Sequence, residues 1–525
     1  MSTTRAVWIF LALLTAIRLT LIGTTDLSFD EAHYWMWSER LAPAYFSKGP
    51  GVAFTIWSSV ALFGPNEFGV RFWSPVLAAG TSLLLYYLAR RLFSATTGFW
   101  IVIAVNVTPI FNIGSFVMTI DPLSIFFWTA AMFTFWLALE RSPESSWHWP
   151  LTGLLIGLGF LCKYTNTLEI VSALLVLILV PRFRREFRKR GLYLLLLTFA
   201  LCTIPPLVWN SQHAWATMGH LRSRGSLDEP VGVHPVELLS FLGIHFAVYS
   251  PLIFAGLAWA IVRRWRRWQE QFKGNFLLWF GVPVFAFYFI LSINRAANPN
   301  WDGLAFLSLG ILAASYWRER MESRPALNRW AGAALFLGLL LSVVALQSDL
   351  LRNIGFGLPR RDPADRMRGW ETAAGAVEEV RGEVETQLGE RVFLIADERD
   401  RASEFAFYFK DKRLEGPGHP PVYIVESQDI TNQFSFWPRY DEFVEAPPNA
   451  PRPEGDVYTE ENGTNPFEGR SALYIQASNK KDAPRNIRAA FQSVEPFRTL
   501  EVRRFGRLIR SFEIYVCRNY RTLPL

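Results

Sequence analysis

Apolar runs long enough to cross a bilayer recur through the first two thirds of this 525-residue chain. A spanning helix needs about 20 predominantly apolar residues, and 6–23, 118–139 and 274–293 are such runs. Hydrophobic residues make up 51% of the chain and charged residues only 19%, a balance that is unusual for a soluble protein. The sequence therefore predicts a protein that crosses the membrane many times.

The predicted membrane domain has about eleven spans, and the basic residues between them give its orientation. The spans are 6–23, 68–92, 96–115, 118–139, 149–163, 165–182, 190–210, 236–261, 274–293, 301–319 and 328–347. With the N-terminus inside, the basic clusters 182–190 and 263–273 fall in inner loops, and the outer loops hold far fewer Lys and Arg. This alternation follows the positive-inside rule. It predicts a multi-pass protein of the cell inner membrane whose outer loops face the periplasm.

The last part of the chain has a pattern of short strands and amphipathic helices in place of long apolar runs, and it is predicted to be a separate domain. It contains a helix at 369–384, a strand at 391–397, a helix at 401–410, a strand at 421–427 and a Pro-rich loop at 445–456. The order of strand, helix and strand favours a small α/β domain. We therefore predict an all-α membrane domain over 1–348 and a soluble α/β domain over 349–525, which the odd number of spans places in the periplasm.

The charge and cysteine content exclude several other classes of protein. The net charge of +7 comes from short loops between spans, which predicts contact with anionic membrane lipids and no binding of nucleic acid. The three cysteines have neither a disulfide framework nor zinc-site spacing. The histidines at 213, 220 and 234 are too loosely spaced to predict a metal site. No cofactor is predicted with certainty, and a divalent metal is left open.

Polar and ionisable residues collect at the predicted outer ends of the spans, where an ionisable side chain is a functional candidate by default. The catalytic candidates are Asp30 and Asp121. The candidates for substrate binding are Glu31, His33, Tyr34, Lys48, Lys163, Tyr164, Arg222, Arg224, Asn298 and Asn300. Acids, cations and amides are thus predicted to meet at one surface of the bilayer.

The stretch "LSFDEAHYWMWSERLAPAYFSKGPG" contains the first of these candidates. If 28–38 form a helix, Asp30, His33 and Tyr34 share one of its faces. The opposite face, with Trp35, is then expected to lie toward lipid, as in a helix that rests in the interface. Composition alone favours an anchoring helix whose acids are only solvated.

The candidate residues after this helix also have a structural explanation beside a role toward the substrate. The run 51–63 is short for a span and is predicted to be a second interfacial helix, and Lys48 before it can contact a phosphate as a point charge. Asp121 precedes a proline at the start of a span, so that it is also a candidate helix N-cap together with its possible role toward substrate. Lys163 can snorkel to the interface, and Arg222 can simply be solvated.

The same residues resemble the bacterial members of glycosyltransferase family 39. The motifs "FDEAHYWMWSERL", "FSKGPG", "MTIDPLSIFFW", "LCKYTNTL", "NPNWDGLAFLSL" and "NQFSFWP" occur in matching order over nearly the whole chain. That group includes protein O-mannosyltransferases and the aminoarabinose transferases of lipid A. The resemblance implies the GT-C fold, which has many transmembrane helices, interfacial helices in the first outer loop and a C-terminal periplasmic domain.

The resemblance also implies the partners and the site residues. The donor would be a polyprenyl-phosphate-linked sugar, the acceptor a glycan, lipid or protein, and the displacement inverting. Asp30 corresponds to the family's acidic residue in the first outer loop, and Asp121 to a second acidic position. Lys48 begins the family's His/Lys-x-Pro element, in which Gly49 departs from the two prolines of many relatives. Lys163 begins a Lys-Tyr element.

The mechanism expected from these residues is displacement of a lipid phosphate. Asp30 would accept the proton of an acceptor hydroxyl, or would orient an acceptor that is already an anionic phosphate. Lys48, Lys163, Arg222 or Arg224 would stabilise the leaving phosphate. The alternatives are a transporter or flippase of lipid-linked sugars, a binding subunit without catalysis and, among enzymes, an oligosaccharide ligase.

Overall fold

The computed structural model describes residues 2–141, 146–225, 232–353, 355, 362–442, 464–480 and 482–524. The predicted Pro-rich loop at 445–456 lies outside these residues. Contacts divide the chain into two compact units, one of 1–24 with 41–364 and one of 25–40 with 365–525. The division predicted at residue 348 stays a prediction.

Helices make up the first unit and part of the second. In chain order they are α1 (Thr3–Leu21), α2 (Phe29–Ser38), α3 (Gly51–Phe63), α4 (Glu67–Arg71), α5 (Trp73–Leu92), α6 (Ala95–Val107), α7 (Pro109–Gly114), α8 (Ile120–Glu140), α9 (His148–Cys162), α10 (Leu168–Leu179), α11 (Arg190–Gln212), α12 (Ala216–Arg224), α13 (Pro235–Val248), α14 (Pro251–Glu270), α15 (Phe272–Asn294), α16 (Gly303–Ser323), α17 (Leu327–Leu346), α18 (Asp349–Asn353), α19 (Trp370–Leu388), α20 (Arg399–Tyr408) and α21 (Arg485–Ala490). The predicted helices at 28–38, 51–63, 369–384 and 401–410 are confirmed as α2, α3, α19 and α20.

Within the described residues, six helices of the first unit are long and apolar enough to cross a membrane. They are α1, the joined α4 and α5, α8, α11, α15 and α17. Two helix pairs pass the same test but are bent, Tyr164–Leu179 with Pro181–Arg188 by 111° and α13 with α14 by 113°. Eight of the eleven predicted spans thus have a counterpart of this kind. The other three predicted spans correspond to α6, α9 and α16. Of these, α6 and α9 are apolar but shorter than the six long helices.

The prediction of one continuous span at 236–261 is wrong. The chain turns between α13 and α14, where Ser250 has a φ of 68° and Pro251 is the first residue of the new helix. Proline has no N–H to donate and its ring clashes with the preceding turn of a helix, so α13 ends before it. The apolar run is long enough for a span, but its backbone is broken in the middle.

A five-stranded mixed sheet forms the centre of the second unit. Its strands are β1 (Phe393–Ala396), β2 (Tyr423–Ile424), β3 (Ala472–Ala477), β4 (Phe491–Arg504) and β5 (Arg507–Tyr520), in the order β2-β1-β3-β5-β4. β1 pairs in parallel with β2 and β3, whereas β5 is antiparallel to β3 and β4. This confirms the predicted C-terminal α/β fold and its first two strands.

The long hairpin of β4 and β5 is a feature that the sequence analysis missed. Its turn is formed by Phe505 and Gly506, both with positive φ, as in the tight turns that join hairpin strands. The alternation of apolar and polar residues on both sides of this Phe-Gly pair was the available signal. The many arginines of the hairpin obscured that signal.

The expectation that one face of α2 lies toward lipid is wrong. Trp35 and Met36 are buried, and the Trp35 ring meets Phe407 of α20 edge-on, with the ring centroids 5.0 Å apart. The backbone N–H of Leu27 donates to the Tyr408 hydroxyl at 2.6 Å. Because α20 presents apolar side chains that need cover, α2 packs against it as a part of the second unit.

Candidate active site

An ion pair lies at the point where α8, α9 and the segment before α16 meet in the first unit. The Lys163 ammonium donates to Asp121 Oδ1 at 2.8 Å and to the Asn300 carbonyl at 3.2 Å. The Asn300 amide donates to Asp121 Oδ2 at 2.8 Å. Three predicted site residues are thus brought together, and both carboxylate oxygens of Asp121 have a partner.

The start of α8 positions the Asp121 carboxylate. Thr119, and not Asp121, is the N-cap, and its hydroxyl accepts from the Asp121 backbone N–H at 3.3 Å. The alternative explanation of Asp121 as a cap is therefore wrong. Asp121 follows in the first turn, where the helix dipole favours a carboxylate, and its side chain remains available for Lys163.

The turn that holds Lys48 packs directly against the end of α9. The backbone N–H of Tyr45 donates to the Lys48 carbonyl at 2.9 Å, which closes the turn. A Cβ at Gly49 would lie only 2.2 Å from the Leu161 carbonyl oxygen, so any side chain there would displace the turn. This close approach leaves no room for a side chain at position 49, and it holds Lys48 near the part of the chain that carries Lys163.

The segment around α12 approaches the same region. The Thr217 hydroxyl donates to the Tyr45 carbonyl at 3.3 Å. The Arg224 guanidinium lies over the Trp301 ring, 5.6 Å from its centroid. Arg222 is exposed.

Two further candidates lie at the edge of this region. Tyr164 follows Lys163 and packs its ring against Phe160, with the centroids 4.9 Å apart. Asn298 is exposed, and its carbonyl accepts from the Trp301 N–H at 2.9 Å. Asn298 therefore shapes the turn before α16, and its side chain is not drawn into the ion-pair cluster.

A cavity of about 250 Å³ opens beside the ion pair, and its mostly apolar wall contains a few polar side chains. Asp121 and Asn300 line one part of it, and Thr81 and Asn106 line another. An apolar groove of about 280 Å³ runs between α6, α14, α16 and α17 and includes Trp100, Ile253, Trp317 and Trp330 in its walls. Val105 and Phe111 line both spaces, which therefore adjoin.

The candidates of the first loop lie together on α2 in the second unit. Asp30 is in the first turn and is partly exposed. The Glu31 carboxylate accepts from the N–H and the hydroxyl of Ser28 at 2.9 and 3.0 Å, which forms a capping box. Glu31 is thus engaged in starting the helix that carries Asp30. Tyr34 is buried against Trp37, with the ring centroids 5.0 Å apart.

His33 connects α2 with α20. Its Nδ1 and the Ser403 hydroxyl are 3.0 Å apart, and its ring stacks on Phe434 with a centroid distance of 5.9 Å. Burial, followed by the positive charge of Arg399, holds the pKa of His33 well below its ordinary value. The imidazole is therefore neutral near pH 7, so His33 acts through hydrogen bonding and packing.

Two buried polar groups of the first unit were missed by the sequence analysis. His245 Nε2 lies 2.8 Å from Asp302 Oδ2, and both side chains are buried. Arg18 is buried in α1 and donates to the side-chain oxygens of Asn106 and Asn112 at 2.9 and 2.8 Å. A charged residue inside an apolar run is a functional signal in its own right, and Arg18 carried that signal within the first span.

No group of three or more His, Cys, Asp or Glu side chains is placed to hold a metal ion in the described part of the chain. The cations at the candidate site are side chains, namely Lys48, Lys163, Arg222 and Arg224.

Comparisons with known proteins agree with this fold. A family model described as dolichyl-phosphate-mannose-protein mannosyltransferase matches residues 47–209. The lipid A galacturonosyltransferase RgtD of Rhizobium johnstonii is 26% identical over 77% of this chain and 82% of its own length. An undecaprenyl phosphate-alpha-4-amino-4-deoxy-L-arabinose arabinosyl transferase of Edwardsiella ictaluri is 27% identical over 49% of this chain, and the match spans about half (47%) of that relative.

A solved structure shows the same arrangement along almost the whole chain. The crystal structure of ArnT from Cupriavidus metallidurans in the apo state matches with a TM-score of 0.60 and 15% identity, over 98% of both chains. The same protein bound to undecaprenyl phosphate matches with a TM-score of 0.59. The likeness to these structures establishes the fold.

The fold and the relatives together define the class. The chain is a multi-pass inner-membrane glycosyltransferase with the GT-C fold. Within that class it is similar to glycosyltransferase family 39, so the resemblance that the sequence predicts is confirmed.

Proposed function

We propose that this glycosyltransferase moves a sugar from a polyprenyl-phosphate donor to an acceptor at the outer face of the inner membrane. One observation carries the proposal: Asp121 and Asn300, the hydrogen-bonding partners of Lys163, stand in the wall of a cavity that adjoins an apolar groove. A donor with a polar sugar phosphate and a hydrocarbon tail needs both environments side by side. The relatives support this choice, since several are named for an undecaprenyl-phosphate-linked sugar.

The donor's tail would lie in the apolar groove, and its phosphate at the polar end. Lys48 is held close to the end of α9 by the contact between Gly49 and Leu161. Together with Arg222 and Arg224 it supplies positive charge for the phosphate. This charge matters most in the transition state, when the departing oxygen becomes more negative.

The reaction itself is a displacement at the anomeric carbon. The oxygen of the acceptor hydroxyl forms a bond to C1, and the bond from C1 to the phosphate oxygen breaks with its electron pair on that oxygen. The products are the glycosylated acceptor and polyprenyl phosphate. Asp30 takes the hydroxyl proton as a general base, which contributes about 10²–10⁴-fold in rate. If the acceptor is a phosphate anion, no proton has to leave and Asp30 orients the acceptor.

The partners of Asp121 argue for a different role from that of Asp30. Because Lys163 and Asn300 occupy both of its oxygens, Asp121 is poorly placed to accept a further proton. We assign Asp121 to holding Lys163 and Asn300 in position beside the cavity. Lys163 stays charged through this ion pair, and its remaining hydrogen-bonding capacity is available to a sugar hydroxyl or to a phosphate oxygen.

The distribution of charge in the loops supports the proposal that the candidate site lies at the outer face of the membrane. The basic clusters of 182–190 and 263–273 belong on the cytoplasmic side. The candidate residues lie at the opposite ends of the predicted spans, and so we place the site and the second unit in the periplasm. A thiol introduced at position 30 would test this, because an impermeant reagent added to intact spheroplasts should label it.

The test of the catalytic role is sugar transfer by purified Asp30→Asn. We expect the variant to fold and to lose at least about 100-fold in kcat with a hydroxyl acceptor. Glu39→Gln removes an exposed acid from the other end of α2 and should leave transfer unchanged. Turnover of Asp30→Asn at the wild-type rate with a hydroxyl acceptor would remove the general-base assignment.

The phosphate role of Lys48 needs a separate measurement. Lys48→Ala should raise KM for the donor or lower kcat, whereas the KM for the acceptor should stay unchanged. Lys189→Ala serves as the control, because that lysine lies in a predicted cytoplasmic loop and pairs with Glu186 at 2.7 Å. Unchanged donor kinetics in Lys48→Ala would exclude Lys48 from phosphate binding.

A further inference from the structure

Tyr249 carries a buried hydroxyl that the proposed mechanism does not use. It lies at the break between α13 and α14, and its side chain is only 2% exposed. Its hydroxyl has no hydrogen-bond partner among the described residues. Most buried hydroxyls have a partner, because leaving one without a hydrogen bond is costly to the fold. Such an exception is a candidate for binding a ligand.

The Tyr249 hydroxyl lies where the cavity and the apolar groove adjoin. The Tyr249 side chain lines the groove. Gly303 lines the cavity beside the ion pair, and a Cβ built on it would lie 3.5 Å from the Tyr249 hydroxyl oxygen. Phe111 lines both spaces and meets the Tyr249 ring edge-on, with the centroids 5.9 Å apart. The ring thus belongs to the groove, and its hydroxyl reaches the boundary with the cavity.

Neighbouring rings fix the position of this hydroxyl. Phe306 stacks on Tyr249 with a centroid distance of 4.0 Å, and the nearly parallel His245 ring follows at 5.5 Å. His245 is itself held, since its Nδ1 lies 2.6 Å from the Phe241 carbonyl oxygen and its Nε2 lies 2.8 Å from Asp302 Oδ2. Packing alone therefore places the hydroxyl. A side chain that is ordered before a ligand arrives loses little entropy on binding.

Two acids lie near Tyr249, but neither accepts its proton. Both carboxylate oxygens of Asp121 accept from Lys163 and Asn300. Asp302 pairs with His245 through Oδ2. In the part of the chain that the structure describes, the Tyr249 hydroxyl donates to neither of them. Its O–H can therefore be donated to a ligand oxygen without breaking a bond of the fold.

The connectivity of the donor identifies the group that this hydroxyl meets. In a polyprenyl-phosphate sugar the phosphate joins the tail to the sugar. With the tail in the groove and the sugar in the cavity, the phosphate lies at the boundary between the two spaces. Its anionic oxygens are the strongest acceptors of the molecule, because a hydrogen bond to them is charge-assisted.

From this arrangement we propose that the Tyr249 hydroxyl donates a hydrogen bond to the phosphate of the polyprenyl-phosphate donor. The inference rests on the proposed transfer and adds a binding residue to it. The cations assigned above supply charge to the phosphate, whereas Tyr249 supplies a neutral donor at the end of the groove. The same bond forms with polyprenyl phosphate, the product, and is lost with polyprenol, which has no phosphate.

The experiment measures the binding of two lipids that carry no sugar. Purified full-length protein in detergent is titrated with undecaprenyl phosphate or with undecaprenol, and Kd is obtained from native mass spectra. We expect the wild type to bind the phosphate more tightly than the alcohol. Tyr249→Phe should raise Kd for undecaprenyl phosphate by about 10- to 100-fold, as is typical when a hydrogen bond to a charged group is lost. Kd for undecaprenol should stay unchanged.

A second buried tyrosine provides the matched control. Tyr86 is buried in α5, and its hydroxyl lies 2.7 Å from the Thr4 hydroxyl. Tyr86→Phe removes this hydrogen bond, so it should lower the thermal midpoint and leave both Kd values unchanged. Tyr249→Phe should show the reverse pattern, because among the described residues it breaks no hydrogen bond of its hydroxyl. A purely structural role of Tyr249 would lower the midpoint and weaken both lipids equally.

Gly303→Ala tests the same hydroxyl without changing Tyr249. The added methyl group would lie 3.5 Å from the Tyr249 hydroxyl oxygen, in van der Waals contact, and would cover it. The variant should therefore raise Kd for undecaprenyl phosphate and not for undecaprenol. Combined with Tyr249→Phe it should add little, because the hydroxyl that it covers is then absent. Gly332→Ala, with nothing within 4 Å of its Cβ, is the control.

Each outcome decides the inference. An unchanged Kd for undecaprenyl phosphate in Tyr249→Phe would overturn it, and so would an equal loss for both lipids. A variant that raises only the KM of the sugar-linked donor would overturn it as well, because the hydroxyl would then bind the sugar. If Tyr249→Phe does not fold, Gly303→Ala decides by the same comparison. Folded wild-type protein that transfers no sugar would reject the proposed function, whereas the Kd values need no turnover and would still decide the role of Tyr249.

Discussion

Removal of the Lys163 ammonium tests the central ion pair of the candidate site. In Lys163→Met the Asp121 carboxylate keeps its bond from Asn300 but loses its counterion at 2.8 Å. The Lys163 side chain is 8% exposed and that of Asp121 21%. Breaking a fully buried pair by removal of one partner costs about 3–5 kcal/mol. Because Asp121 retains some contact with solvent, we expect a loss of about 3 kcal/mol.

An exposed ion pair of the same unit provides the matched control. Arg91 and Glu140 pair at the predicted inner ends of α5 and α8, and their side chains are 47% and 38% exposed. A surface pair of this kind contributes about 0–1 kcal/mol. Glu140→Gln should therefore cause a much smaller loss of stability than Lys163→Met, although both variants remove one charge from an ion pair.

The assay is the thermal midpoint of the detergent-solubilised protein, followed by the amount that remains monodisperse in size-exclusion chromatography. The double variant Lys163→Met/Asp121→Leu removes both charges and should recover part of the loss, because no buried carboxylate is left without its partner. Equal midpoints for Lys163→Met and Glu140→Gln would refute the reasoning. A double variant that is worse than the sum of its single variants would refute it as well.

Three further predictions concern other parts of the chain. Gly49→Ala should lower the thermal midpoint and the use of donor, because its Cβ would lie 2.2 Å from the Leu161 carbonyl oxygen, whereas Gly332→Ala has nothing within 4 Å of its Cβ and should lower neither measurement. Burial raises the pKa of Glu426 to about 8, so that the folded second unit holds a proton that the unfolded chain releases near pH 4.5. Its stability should therefore fall as the pH rises from about 5 to 8, and Glu426→Gln should abolish this slope in thermal unfolding curves. His33 shows the opposite sign, since its pKa is held well below 6.5, chiefly by burial. Stability should be lost as the pH falls below about 6.5, and hydrogen exchange in α2 should accelerate in wild type but not in a folded His33→Gln variant.

Most of the architecture could be predicted from patterns that are local in the sequence. The apolar runs predicted the membrane domain, and the periodicity of 28–38 and of 369–384 predicted α2 and α19. The broken span was harder, because a run such as 236–261 is uniformly apolar and its composition does not show the bend. Pro251 was the local signal, but proline is tolerated within many transmembrane helices.

The site was harder to predict because its contacts are distant in the sequence. Asp121 and Lys163 were both candidates, yet nothing in either motif states that the two side chains meet. Their partner Asn300 follows more than a hundred residues later. The packing of α2 against α20 was missed for the same reason, since the amphipathic pattern of α2 shows that one face is covered but not what covers it.

A buried charge can be located from the sequence, but its surroundings cannot. Arg18 lies near the end of an apolar run and could have been singled out from the sequence alone. Its surroundings, however, namely the amide oxygens of Asn106 and Asn112 and the cavity that Asn106 lines, could not be read from the sequence. Both of these are properties of the packed helices.

The most direct measurement of the central claim is the stoichiometry of one transfer reaction. Purified protein in nanodiscs is incubated with a polyprenyl-phosphate-linked sugar and a lipid acceptor, and both lipids are followed by mass spectrometry. We predict one polyprenyl phosphate for each glycosylated acceptor in the wild type, and both products at a rate at least about 100-fold lower in Asp30→Asn when the acceptor offers a hydroxyl. Donor that remains intact beside folded wild-type protein would contradict the account.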